Sequence, residues 1–273
     1  MPDAALETGD APAYLVRDGD GYAPTRIAQG PWGQTMAGHV VGGILGWAVE
    51  RAAGDPEFQP ARLTVDLFRP TALEAVQVAA RVIRDGRRIR LAEAVITQHG
   101  TEVARASAVF LRRGAQPDQP VWSTPVTMPP LLTEDEAAPD NSPFFLRAYG
   151  WGPDTGSRDA HVAAGPKYAW VRERKPLIVG EPLTAFTRAA MAGDVTNPLT
   201  HWGANMLQFI NVDYTLTLSR LPSGPYIGLA AFTHHSHEGI ATGVATVFDH
   251  LGPVGSSMAT ALADPRFRPP SRR

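Results

Sequence analysis

The chain repeats itself. MAGHVVGGILGW at 36–47 and MAGDVTNPLTHW at 191–202 both open on Met-Ala-Gly, share a valine and close on tryptophan, 155 residues apart. The fourth place holds His39 in one copy and Asp194 in the other. Further blocks follow in the same order. RLTVDLFRP at 62–70 is echoed by FINVDYTLTLSRLP at 209–222, with Val65-Asp66 and Val212-Asp213 147 residues apart. RDGRRIRLAEAVITQHG is echoed by HEGIATGVATVFDHLG, with Gly86 and Gly239 153 apart, and EVARASAVF by PVGSSMATA near 151. An offset that drifts only by a few residues is what two copies of one folding unit produce, with insertions confined to loops. The chain is therefore expected to form two similar folding units.

Each copy has the same grammar. In 36–54, Val40, Ile44, Trp47, Ala48 and Arg51 recur one helical turn apart with no proline between them, which predicts a helix. Gly38, Gly42 and Gly46 fall on one side of it. Each costs about 1 kcal/mol of helix propensity relative to alanine, so that side is expected to meet a close-packed neighbour or a ligand. The remainder alternates with period two. Leu63, Val65 and Leu67 share one face of a strand, as do Val212, Tyr214, Leu216 and Leu218. VQVAARVIRDG, RRIRLAEAVITQHG and TEVARASAVFLRR read as three strands joined by turns at Asp85-Gly86 and His99-Gly100. One helix followed by four or five antiparallel strands is an α+β unit, a sheet wrapped around a central helix. Seven prolines between Pro117 and Pro143 mark a surface linker. The expected organisation is an N-terminal unit at 1–114, a linker at 115–145 and a C-terminal unit at 146–273.

Composition narrows the function classes. The net charge of −2 offers no footprint for nucleic acid or an anionic membrane. Without cysteine there is neither a disulfide framework nor thiol chemistry. No apolar run is long enough to span a bilayer and no secretory signal opens the chain, so a soluble cytoplasmic protein is expected. Ser256-Ser257 lacks the context of a nucleophile elbow. THHSH at 233–237 reads as solvent-facing histidines rather than a metal site, and no cofactor is expected.

With helix, meander and duplication in place, the chain resembles the double-hotdog acyl-CoA thioesterases of the thioesterase II type. MAGHVVGGIL is similar to that family's Gly-Gly-Gln-Val-Val-Gly helix start, LFRP and RDGRRI to its strand-end and turn signatures, and AMAGDVTNPL to the helix segment that carries its catalytic aspartate. The resemblance implies two tandem hotdog units and hydrolysis of acyl-CoA thioesters without a metal or a covalent acyl-enzyme. It places the family's catalytic Asp on Asp194, its Thr on Asn211 and its Gln on Ala259. Asparagine can still hydrogen-bond water; alanine cannot. It also implies a homodimer or higher homo-oligomer.

Thioester hydrolysis needs an activated water and a partner for the oxyanion. Asp194 lies among small and apolar residues, where desolvation raises a carboxyl pKa toward that of a useful base. Pro198 has no N–H for the Asp194 carbonyl, so a helix through this point must kink or end. The amides of Gly38 and His39, at a glycine-softened helix start, are candidates for the oxyanion. Thr196, Asn197 and Trp32 are expected to contact substrate, and Arg87 and Arg88 to hold CoA phosphates. Two other readings are open: a hydratase or dehydratase pairing His39 with Asp194, and a silent acyl-CoA binder, favoured by Ala259.

Overall fold

The computed structural model describes residues 11–123, 125–131, 142–149, 165–203 and 207–264. A small hairpin, β1 (Leu15–Asp18) and β2 (Gly21–Pro24), precedes α1 (Gly38–Ala53). The first meander follows: β3 (Phe58–Leu67), β4 (Gln77–Asp85), β5 (Ile89–Gln98) and β6 (Thr101–Arg112). Then come β7 (Phe144–Tyr149), β8 (Lys167–Glu173), α2 (Ala185–Gly193) and α3 (Thr196–His201). The second meander is β9 (Phe209–Leu218), β10 (Ile227–His237), β11 (Ile240–Asp249) and β12 (Gly252–Ala263).

One antiparallel sheet runs in the order β4-β5-β6-β3-β9-β12-β11-β10-β8-β7. Read outward from the β3–β9 seam, the N-terminal order 3-6-5-4 matches the C-terminal order 9-12-11-10. These pairs are the sequence blocks that match in the repeat. At the seam Asp66 stands opposite Asp213, and the Thr64 and Thr215 hydroxyls lie 3.0 Å apart. A two-fold relation between the units therefore passes near Asp66 and Asp213, the residues aligned by the 147-residue offset. The fold is a double hotdog of the α+β class, as expected.

The glycines explain how the helices meet. A Cβ on Gly46 would sit 2.7 Å from the Ala190 Cβ, and one on Gly43 2.6 Å from Met191 Cγ. A Cβ on Gly42 would overlap the Tyr214 hydroxyl, and one on Gly193 would lie 2.6 Å from the Tyr214 ring. Tyr214 is fully buried and donates to the Ala190 carbonyl at 2.7 Å. The small residues thus let α1 and α2 approach closely over one tyrosine, and the lost propensity is offset by packing shared between the units. The core around Ile44, Leu45, Phe110, Phe186 and Met191 draws on both.

Two expectations need correction. The proline-rich segment does more than lie on the surface. Val126, Met128 and Leu131 pack on a small second cluster around Tyr149, Trp170 and Phe248, and the Trp170 indole donates to the Pro129 carbonyl at 2.9 Å. Val212 was expected on the buried face of β9, yet it is 45% exposed. The register shifts there: Asp213 pairs with Thr260 and Asn211 with Ala261, leaving Val212 as a bulge. A bulge reverses which residues face inward beyond it, so Asn211 turns to the side of Tyr214.

Candidate active site

The bulge delivers Asn211 to Asp194. The Asn211 Nδ2 donates to Asp194 Oδ1 at 2.9 Å. Asp194 itself sits in the break between α2 and α3, as the C-cap of the first. Pro198 cannot donate to the Asp194 carbonyl, and the Asn197 N–H reaches it instead at 3.2 Å, tightening the turn. The break points the carboxylate at the first turn of α1. There the His39 backbone N–H turns toward it, and a Cβ on Gly38 would collide with it. Asp194 is half-buried. Burial raises its pKa from 3.8 to about 6, against the opposing pull of Asn211 and the His39 amide. An acid from the later unit thus lies against a helix start from the earlier one.

The His39 ring goes elsewhere. It stacks on Phe144 at 5.4 Å and meets the edge of Tyr14 at 5.3 Å between centroids. Its Nε2 is buried with no hydrogen-bond partner among the described residues. Burial pushes its pKa down to about 4, so the ring is neutral at physiological pH. Tyr14 in turn donates to Glu173 Oε2 at 2.5 Å, and burial raises the Glu173 pKa to about 8. Among the described residues no hydrogen bond joins the His39 ring to Asp194; the link is the backbone amide. Because that amide serves the carboxylate, it is not the open oxyanion donor that the sequence led us to expect.

The other expected site residues divide. Thr196 is fully buried and its hydroxyl donates to Ser257 Oγ at 2.7 Å, while Asn197 is buried and donates to the Phe209 carbonyl at 3.3 Å. Both hold α3 on the sheet, a correction to their expected contact with substrate. Trp32 is half-buried in the loop before α1. Arg87 and Arg88 are exposed at the β4–β5 turn, beside Arg90, which bonds the Ala53 carbonyl at the last turn of α1. Sixteen helical residues, or about 24 Å, separate that end of α1 from the end at Asp194. The fold therefore does not bring these two arginines to the carboxylate. Ala259 is fully buried, opposite Tyr214, and adds no polar side chain.

Residues 28–111 match the acyl-CoA thioesterase N-terminal domain, and residues 125–263 match the acyl-CoA thioesterase C-terminal domain. The chain belongs to the acyl-CoA thioesterase family. Its chemistry as a thioesterase is thioester hydrolysis. Several solved structures share the fold. The tesB protein of Mycobacterium avium subspecies paratuberculosis superposes with a TM-score of 0.68 at 15% identity, covering 96% of this chain and 100% of that one. A hot-dog-fold protein from Alicyclobacillus acidocaldarius gives 0.70 at 16%, covering 96% and 100%. The acyl-CoA thioesterase II of Mycobacterium marinum gives 0.58 at 19%, covering 94% and 96%. No curated protein matches the chain in sequence. Among the described residues of this thioesterase, no helix is long and apolar enough to cross a membrane.

Proposed function

We propose that this thioesterase hydrolyses acyl-CoA to free acid and CoA by a single attack of water, with Asp194 as general base and no covalent intermediate. The observation that carries the reading is the half-buried Asp194 carboxylate, held by Asn211 and the His39 amide at the seam of the two units. With its pKa near 6, the carboxylate is ionised at neutral pH yet remains basic enough to take a proton from water. Asn211 orients it and stands in for the two polar side chains that the family pattern places at 211 and 259. The remaining first-turn amide of α1, at Gly38, and the positive end of that helix favour the oxyanion. The missing Cβ at Gly38 is what lets the Asp194 carboxylate lie against the helix start.

We place the protein in the cytoplasm and expect it to work as a homodimer. The outward face of the second meander supports self-association: Val244 pairs with Met258 and Ile240 with Leu262, and all four are exposed.

The test uses the full chain with saturated and enoyl acyl-CoA substrates. Continuous release of free CoA thiol, at rates that scale with enzyme, is the expected result. Loss of the enoyl chromophore without thiol release would instead mark a hydratase. Tight binding of acyl-CoA with no release over long incubation would mark a silent binder.

A further inference from the structure

The His39 ring belongs to a buried cluster that hydrolysis at Asp194 does not itself use. Four elements meet there: Tyr14 just before β1, His39 in the first turn of α1, Phe144 at the start of β7 and Glu173 at the end of β8. Phe144 and Glu173 stand directly opposite each other in the β7–β8 ladder, so their side chains share one face. The His39 ring touches two walls, stacking on Phe144 and meeting the edge of Tyr14.

Hydrogen bonds tie those two walls together. The Tyr14 hydroxyl has one proton and two acceptors in reach: Glu173 Oε2 at 2.5 Å, and the Pro143 carbonyl, next to Phe144, at 3.2 Å. Glu173 pairs with no cation among the described residues, and its Oε1 is buried without a hydrogen-bond partner. Burial keeps its proton on at neutral pH, with a pKa of about 8. The protonated acid donates to the phenol oxygen, which frees the phenol proton for Pro143. At higher pH the phenol donates to the carboxylate instead, so Tyr14 stays tied to β8 in both states.

The cluster bears on Asp194 through one residue. The His39 backbone N–H meets the Asp194 carboxylate, while the ring of the same residue is gripped by Tyr14 and Phe144. The first turn of α1 lacks a cap of its own: Ala37, the N-cap, makes no side-chain bond to it, and no acidic residue lies in that turn. The backbone bonds from Met36 to Thr71 and from Ala37 to Ala28 end before His39.

We propose that Tyr14 and Glu173 are positioning residues for the hydrolysis: by fixing the His39 ring they hold the amide of that residue against the Asp194 carboxylate. Neither acts on the reacting atoms. The proposal rests on Asp194 as the base.

The experiment follows kcat/KM against pH in Glu173→Met, Glu173→Gln and Tyr14→Phe. Methionine is of similar length but cannot bond Tyr14, whereas glutamine can still donate to the phenol oxygen. Asp194 faces the Asn211 amide and the Tyr214 phenol of β9 and the His39 amide of α1. Of these, the cluster reaches only the His39 amide. Loosening that amide removes a bond that favours the ionised carboxylate, so the midpoint of the acid limb rises. Glu173→Met and Tyr14→Phe are each expected to raise the midpoint and to lower kcat about tenfold, with KM moved less than about twofold. Glu173→Gln is expected to return both readings close to wild type. The midpoint does not depend on how much of a preparation is folded. Loss of kcat and Tm at an unmoved midpoint would mark a merely structural cluster and overturn the proposal. A Glu173→Gln variant as impaired as Glu173→Met would overturn it too. If the wild type shows no acid limb, the Asp194 reading fails, and NMR titration of the Asp194 carboxyl carbon still decides the cluster. A midpoint raised in Glu173→Met and Tyr14→Phe supports the contact, and one unmoved overturns it.

Discussion

Asp194→Asn is expected to lower kcat by about two to four orders of magnitude while leaving the fold intact. The substitution is nearly isosteric. Asparagine can still accept from Asn211 and from the His39 amide, the two contacts that hold the carboxylate. Only the basicity goes. Stability should move the other way. The Asp194 pKa is higher in the folded protein than its ordinary value of 3.8. The folded state therefore holds the proton more tightly, and the ionised carboxylate is a cost of folding. That cost is absent below pH 4, grows between about pH 4 and 6, and is constant above. Relieving it should stabilise the variant by about 3 kcal/mol at pH 8. Thiol release and thermal melting at pH 8, on the same preparation, check both halves. A variant with wild-type turnover would remove Asp194 from the mechanism.

Gly42→Ala is expected to cost about 3 kcal/mol of stability, at the upper end for overpacking a core, or roughly 6–12 °C in Tm. The added methyl would overlap the Tyr214 hydroxyl. Tyr214 cannot yield easily, because it is fully buried, bonded to the Ala190 carbonyl and pressed against Gly193 as well. Moving it would separate α1 from α2 and shift Asp194, which follows Gly193 directly. Turnover should fall with stability. Gly114→Ala is the control: a Cβ there meets nothing within 4 Å, and the change should be near neutral. If Gly42→Ala melts like the wild type, the two helices do not pack as closely as the structure has them.

Much of the fold was legible because periodicity survives duplication. The meander strands, the helix over 38–53 and the turn at His99-Gly100, where both residues have positive φ, follow from local pattern alone. The glycine stripe announced a close approach. Its partner, a tyrosine and a helix from the other unit, is tertiary and could not be named from spacing. The role of Asp194 came from the family resemblance, and the proline four residues later independently pointed to the break that aims it.

Asn211 shows where pattern reading ends. Strict alternation puts it on the face opposite Tyr214, and only the bulge at Val212, a property of strand pairing, turns it inward. Arg87 and Arg88 formed a plausible basic cluster, but sequence carries no information that their turn lies at the other end of α1.

The central claim, that an acid from the later unit is the base at the helix start of the earlier one, is tested most directly by the pH dependence of kcat/KM. The wild type is expected to rise with unit slope to a plateau above about pH 7, with a midpoint near 6, where the folded Asp194 titrates. Asn211→Ala should move that midpoint upward, because it removes a hydrogen bond that favours the charged carboxylate. A profile flat from about pH 5 to 8, with no movement in Asn211→Ala, would contradict the account.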